Sequence, residues 1–240
     1  MPMSLSEFAP FLDRQDETGL QRELDESGFA RLPGLLNEAQ CAELVALYED
    51  ESRFRRTIDM NRYRFGSGEY KYFAAPLPAL VQQLRERLYP ALARAANRWE
   101  ERLGQEPAYP EELSAFLEQC HRHGQTRPTP LLLKYEEGDY NCLHQDLYGE
   151  VFFPFQAVIA LSRRDLDYAG GEFLLVEQRP RAQSRGHALV LEQGDGLVFP
   201  TNNRPVAGAR GYYRTKLRHG VSTVLSGRRH TLGVIFHDAR

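Results

Sequence analysis

A chain of 240 residues with 42% hydrophobic and 26% charged residues is long enough for one well-buried domain and has the balance of a globular protein. That balance excludes disordered and fibrous classes, and a net charge of −3 excludes a uniformly basic or acidic chain. The charge is uneven, because residues 1–50 hold eleven acids against three arginines, a net of −8, which leaves +5 for the rest. Cys41, Cys120 and Cys142 are few, odd in number and widely spread, which argues against a disulfide framework and for a reducing compartment. Residues 1–11 lack the charged-then-apolar run of a signal segment. The longest apolar run, 151–161, is interrupted by Pro154 and Gln156 and is too short to span a bilayer. The expectation is a cytoplasmic protein with no membrane partner.

In chain order, residues 1–125 read as mostly helical. Asn37 and Gln40 have the spacing of a capping box, and Cys41, Leu44, Val45 and Tyr48 follow at helical intervals. Leu77, Leu80, Val81, Leu84 and Leu88 repeat that spacing, and residues 91–102 continue it, with Pro90 expected to break or kink the helix. A third helix is expected over 111–121. Residues 53–73 form a basic-aromatic segment, in which arginines such as Arg55, Arg56 and Arg64 interleave with Tyr63, Phe65, Tyr70 and Tyr72.

From about Pro130 the period changes. Residues 131–133, 152–161, 171–176, 188–191, 196–199 and 231–236 are short apolar runs separated by Gly, Pro, Asn and Asp clusters, an all-β pattern. Helices first and antiparallel strands afterwards predict one α+β domain over residues 1–240. In it, N-terminal helices buttress one sheet of a β-sandwich or barrel built from 130–240. No internal repeat or low-complexity tract is present.

Within the β region, His144-Gln145-Asp146 is answered by His219 and then Arg229. Two imidazoles and one carboxylate form the facial triad that holds non-haem Fe(II) and leaves positions open. Residues i and i+2 of a strand share a face, so His144 and Asp146 are expected on one strand with Gln145 turned away and Cys142 on their side. His-x-Asp alone is a weak signal in a chain with seven histidines, and its neighbours decide its weight. Of the other histidines, His121 and His123 read as a solvated helix end. His187 and His237 lack an arginine at the right distance to serve as the third ligand, and His230 should face away from Arg229.

The neighbours form an ordered series: Tyr135-x-x-Gly138 before His-x-Asp, Gly170-Gly171-Glu172, Gly194-Asp195 leading to Phe199, and His219 followed by Gly227-Arg228-Arg229. With these elements the sequence resembles the 2-oxoglutarate/Fe(II)-dependent dioxygenase superfamily over residues 131–236. The resemblance implies a double-stranded β-helix (jelly-roll) core, with His144, Asp146 and His219 as iron ligands. It implies Arg229 as the residue pairing with the distal carboxylate of 2-oxoglutarate, a task suited to a planar, permanently charged fork. Thr231, on the same strand face, and Tyr135 are implied to support that co-substrate. Arg228 should lie on the opposite face. Fe(II), 2-oxoglutarate and O2 are the implied cofactor and co-substrates.

For the substrate, the 53–73 segment and the acid-free basic stretches at 179–185 and 201–219 suggest phosphate contacts with aromatic faces for bases. Leu143-His144-Gln145-Asp146 after Lys134-Tyr135 is similar to alkylation-repair demethylases, and the chain resembles a bacterial family of oxygenases directed at damaged nucleic acid. Tyr63, Arg64, Tyr72, Tyr148 and Arg214 are the candidate substrate residues. Ile235 stands where the repair enzymes place a second arginine, and the short His219-to-Arg229 spacing is closer to prolyl-hydroxylase-like members. The reading is therefore demethylation of an alkylated base in DNA. The alternatives are hydroxylation of a protein side chain such as proline, or a non-catalytic β-sandwich binding module.

Overall fold

The computed structural model describes residues 14–147 and 149–240, with 14–16 as backbone only. Its helices are α1 (Arg14–Ser27), α2 (Glu38–Ala46), α3 (Met60–Tyr63), α4 (Ala79–Arg102) and α5 (Leu113–Arg122). The first strands are β1 (Ala30–Leu32), β2 (Phe54–Asp59), β3 (Gly66–Ser67), β4 (Glu69–Phe73), β5 (Leu131–Glu136), β6 (Tyr140–His144) and β7 (Phe155–Ala160). Then come β8 (Tyr168–Gly170), β9 (Phe173–Gln178), β10 (Arg185–Leu189), β11 (Gly196–Pro200), β12 (Asn203–Gly208), β13 (Gly211–Val221) and β14 (Val224–Ile235). The major sheet runs β1-β11-β7-β14-β5-β4-β2, with β8 also on β14. The minor sheet runs β10-β9-β13-β6-β3, with β12 on β13. Every pairing between these strands is antiparallel.

The two-residue period of the strands divides the major sheet into two working faces. Phe155, Ala157 and Ile159 of β7, with Leu232 and Val234 of β14, pack against Leu84, Leu88, Leu92 and Trp99 of α4 in one apolar cluster. Their alternates Val158 and Ala160 pack with Leu197 and Phe199 of β11 against Phe173, Leu175 and Leu217 of the minor sheet. One face thus carries the helical buttress and the other closes on the second sheet, as the predicted jelly roll requires.

The capping box forms as the sequence predicts, with Gln40 N–H donating to Asn37 and the Gln40 side chain accepting from Asn37 N–H. Pro90 does not break its helix, since α4 runs through it. The missing amide costs one backbone bond, but Leu88, Tyr89, Ala91 and Leu92 on either side are buried and hold the helix against the sheet. Arg85 ties α4 to the end of β14: its Nε donates to Ile235 O at 3.0 Å and its Nη2 to Phe236 O at 2.8 Å and Asp238 Oδ1 at 2.7 Å.

Two basic stretches outside the predicted strands fold as hairpins. Residues 54–73 fold as β2, α3, β3 and β4, of which β4 and β2 widen the major sheet beyond β5 while β3 joins the minor sheet. Residues 203–221 fold as β12 and β13, whose hydrophobic alternation is masked by their arginines and lysine. No helix among the described residues is long and apolar enough to cross a membrane.

Candidate metal and co-substrate site

Strand register assembles the site. In the β13–β6 pair, His219 stands directly opposite His144, and the ring centroids lie 4.1 Å apart. Asp146 lies just past the end of β6 rather than on it, so the shared strand face expected for His144 and Asp146 is replaced by irregular chain. That chain serves the same end: Asp146 Oδ2 lies 3.2 Å from His219 Nε2, and its Oδ1 lies 3.5 Å from His144 Nε2. The ligand atoms of all three lie within 4.8 Å of one another, and no other such group of three occurs among the described residues. Gln145 is tied to its neighbours rather than to the ligand cluster, its Nε2 donating to Asn202 Oδ1 and Leu217 O at 2.8 Å, although it still lines the same cavity.

The protonation pattern suits metal binding. His144 Nδ1 lies 2.7 Å from Cys142 O, and because a carbonyl only accepts, Nδ1 carries the proton and Nε2 offers its lone pair. Burial, with the neighbouring His219, holds His144 below the ordinary imidazole range, favouring the neutral form that ligates. His219 is fixed between Phe173, stacked at 5.8 Å, and Phe199 at 4.8 Å. These donors match a divalent metal with three protein ligands and open positions.

Arg229 faces the same space from β14. It is 3% exposed, yet its Nε and Nη1 have no hydrogen-bond partner among the described residues. Its guanidinium sits 5.5 Å from the Tyr135 ring and 5.9 Å from the Tyr168 ring, contacts that place it without satisfying its donors. A buried guanidinium left in that state is costly unless an anion joins it, and a carboxylate satisfies two donors at once. Arg228 points outward to Glu136 at 3.0 Å, as alternation predicts. Thr231 is the next inward residue of β14, and Tyr135 lies opposite Arg229 in the register. The Tyr135 hydroxyl accepts from Asn141 at 3.3 Å, and burial pushes its phenol up to about 12.

His144, Asp146, His219, Arg229, Thr231 and Tyr135 all line one cavity of about 210 Å³. Leu131, Leu133, Val158 and Ile235 add apolar walls, and Phe65, Tyr70 and Tyr72 stand at its junction with a second cleft. Of the candidate substrate residues, Tyr72 lines the cavity and Tyr63 the second cleft. Arg64 is the exposed left-handed cap of α3 and lines neither. Arg214 alternates with Thr215 and Leu217 onto the outer face of β13, opposite to His219, so it too is away from the cavity. Tyr148 lies outside the described residues. Phe65 and Tyr70, named in the basic-aromatic segment but not among the candidate residues, also line the cavity, as does Asn141, which the sequence did not single out. Period 2 along β4 pairs Tyr70 with Tyr72 and sends Lys71 inward to Tyr48 O, so alternation was the available signal.

The remaining histidines serve elsewhere. His121 pairs with Asp238 at 3.0 Å and His123 with Glu150 at 3.2 Å. His187 packs on Phe29, and His237 Nδ1 accepts from Phe153 N–H. Cys142 is exposed and acts on His144 through its carbonyl.

Residues 68–239 match the Oxygenase-NA family, described as an oxygenase catalysing oxidative methylation of damaged DNA. The chain belongs to this family. An uncharacterized Mycobacterium tuberculosis protein (strain H37Rv) is 54% identical over 167 residues, spanning 70% of this chain and 72% of that one. Among solved structures, a Pseudomonas putida prolyl-4-hydroxylase superposes with a TM-score of 0.53 at 14% identity, covering 93% of this chain and 99% of that one. A Burkholderia pseudomallei oxidoreductase of the 2OG-Fe(II) oxygenase family gives 0.52 at 15% identity, covering 95% and 94%. A Trichoplax adhaerens prolyl hydroxylase, in complex with a hypoxia inducible factor oxygen degradation domain peptide fragment, gives 0.54 at 13% identity, covering 92% and 88%. These likenesses establish the double-stranded β-helix fold. The family, with the His144, Asp146 and His219 cluster beside the buried Arg229, makes the protein a 2-oxoglutarate-dependent non-haem iron dioxygenase, which sets aside the non-catalytic binding module.

Proposed function

We propose that this dioxygenase oxidatively demethylates an alkylated base in DNA, with iron held by His144, Asp146 and His219 and 2-oxoglutarate held by Arg229, Thr231 and Tyr135. The observation that carries the chemistry is the buried, unsatisfied Arg229 in one cavity with the three-ligand cluster. Iron with 2-oxoglutarate and O2 supplies oxidation of a C–H bond, with loss of CO2 and formation of succinate. The protein's part is placement. His144 and His219 would each present a ring nitrogen, Asp146 would supply a carboxylate oxygen, and three protein ligands leave positions for the co-substrates. Arg229 receives the distal carboxylate in its fork, and Thr231 and Tyr135 offer hydroxyls to the same group. The apolar walls exclude water from the oxidised carbon. A methyl group on a base nitrogen, once hydroxylated, leaves as formaldehyde without further help from the protein.

The family description and the aromatic mouth formed by Phe65, Tyr70 and Tyr72 support a base as the substrate. The second reading, hydroxylation of a protein side chain such as proline, is favoured by the ten-residue step from His219 to Arg229 and by the prolyl-hydroxylase neighbours. Succinate release by the Fe(II)-loaded protein separates the two. Methylated oligodeoxynucleotides should stimulate it, with formaldehyde in equal amount, while unmethylated oligonucleotides and proline-containing peptides should not. Stimulation by peptides alone would transfer the assignment to the second reading.

A further inference from the structure

The second cleft, of about 250 Å³, shares Phe65, Tyr70 and Tyr72 with the cavity, and its far side is lined by Arg55, Arg56 and Arg127. Neighbouring cations are neutralised: Arg53 pairs with Asp50, Arg62 with Asp59, Lys71 with Glu51 and Arg240 with Glu150. Arg55, Arg56 and Arg127 have no carboxylate within ion-pair distance among the described residues. Arg55 is half-buried, with its Nε donating to Pro128 O at 2.9 Å and its guanidinium 4.6 Å from the Tyr72 ring. Arg56 reaches the Tyr63 hydroxyl at 3.3 Å. Burial and the charges of Arg127 and Arg56 pull the Arg55 guanidinium below its ordinary range. Arg127 and Arg56 both act on Arg55 and Asp238 offsets only part of that repulsion, so an anion placed among the three would relieve it. At the rim, Tyr63 and Phe65 are each 48% exposed and stacked on one another at 5.5 Å.

We propose that this cleft is a phosphodiester subsite, in which Arg55, Arg56 and Arg127 hold the backbone of a single DNA strand while the target base passes Phe65 and Tyr72 into the cavity. The inference rests on the nucleic-acid reading above. A nucleotide joins an anion to a planar ring through a short sugar, and the two spaces divided by one aromatic wall match that order. The exposed Tyr63–Phe65 stack offers a face to a neighbouring base. An acidic peptide would satisfy the arginines but leave that stack without a purpose. A base must leave the duplex to enter such a cavity, so a single strand is the form that fits without unpairing.

The test is fluorescence anisotropy of a short labelled single-stranded oligodeoxynucleotide with the intact chain, loaded with Mn(II) and 2-oxoglutarate, over a salt series. Replacing the three arginines (R55Q, R56Q and R127Q together) should raise Kd at least tenfold. It should also reduce the slope of log K against log salt by about 2, since each single-strand phosphate contact contributes roughly 0.7. Phe65→Ala should weaken binding on the order of tenfold while leaving the salt slope unchanged. Arg22→Gln with Arg122→Gln, two exposed arginines of α1 and α5 outside both cavities, is the charge control and should leave Kd near that of the parent. Equal losses in the control and the triple variant, or none in the triple variant while the parent still binds, would overturn the subsite but leave the DNA reading intact. No oligonucleotide binding by the parent, with arginine-dependent binding of an acidic peptide instead, would overturn both.

Discussion

Arg229 owes its place to a neighbour with no side chain. A Cβ on Gly171 would stand 2.9 Å from Arg229 Cδ, and the backbone there has φ +61°, so glycine is required on both counts. The Gly-Gly-Glu signature is thus the space in which the arginine lies. Because Arg229 has unsatisfied donors in a buried site, removing it should act on the co-substrate and not on the metal. Each charge-assisted hydrogen bond is worth about 1.5–3 kcal/mol, so losing two in Arg229→Gln should raise the 2-oxoglutarate requirement on the order of 100-fold or more. Titration of the iron–2-oxoglutarate charge-transfer band reads this directly, with iron affinity little changed. Arg228→Gln, which removes only an exposed pair with Glu136, should change neither. Equal loss of iron and co-substrate affinity in Arg229→Gln would misplace the anchor.

At the scale of elements, the site depends on how closely β13 and β6 approach. Gly220, beside His219, would direct a Cβ to 2.6 Å from Asn141 O, a backbone atom that cannot rotate away. Gly220→Ala should therefore push the strands apart just where they set His144 opposite His219. The expected cost is about 1–3 kcal/mol in urea unfolding, as for other overpacked sites. Fe(II) affinity should fall on the order of tenfold, because ligand placement is disturbed without loss of a ligand. A destabilised variant that keeps full metal affinity would show that the β13–β6 spacing does not set the triad. The same two strands show why the arginine-rich hairpin 203–221 escaped the hydrophobic pattern. Its inward residues, Thr215, Leu217, His219 and Val221, are only half apolar, while Arg214, Lys216 and Arg218 fill the outer face.

Across the whole molecule, the joint between helical layer and sheet contains a buried histidine that makes stability sensitive to acid. His230, next to Arg229 but facing the opposite way, packs edge-on against Tyr48 at 5.5 Å. Burial, with the nearby Arg228 and Lys134, lowers its pKa from about 6.5 to about 4. A base whose folded-state pKa lies below its unfolded value leaves stability intact above about 6.5. As pH falls from there towards 4, the unfolded chain takes up a proton that the folded chain refuses. The loss across that window is about 3 kcal/mol for this group, by the energy of one pKa unit. His230→Phe should remove that share of the acid sensitivity in urea unfolding followed from pH 7 to pH 4. An unchanged pH profile would remove His230 from the account.

His144, Asp146, His219, Arg229, Tyr135 and Thr231 were picked out along the chain by ordered motifs that resemble a family, and the fold brings all six to one cavity. Local relations that the residues themselves carry sufficed for the α+β class, the capping box at Asn37 and the outward turn of Arg228. What depended on long-range packing was less legible. Helix α4 continues through Pro90 because its flanking side chains are buried against a sheet formed more than fifty residues later. Arg64 and Arg214 lie away from the cavity, although Tyr63, beside Arg64, lines the second cleft and His219, on the same strand as Arg214, lines the cavity. Local order thus set which chemistry this chain carries, whereas the cross-strand register of β6, β13, β14 and β4 decided which aromatics and arginines meet it. Register is a contact between segments distant in sequence, and its energy resides in no single one of them.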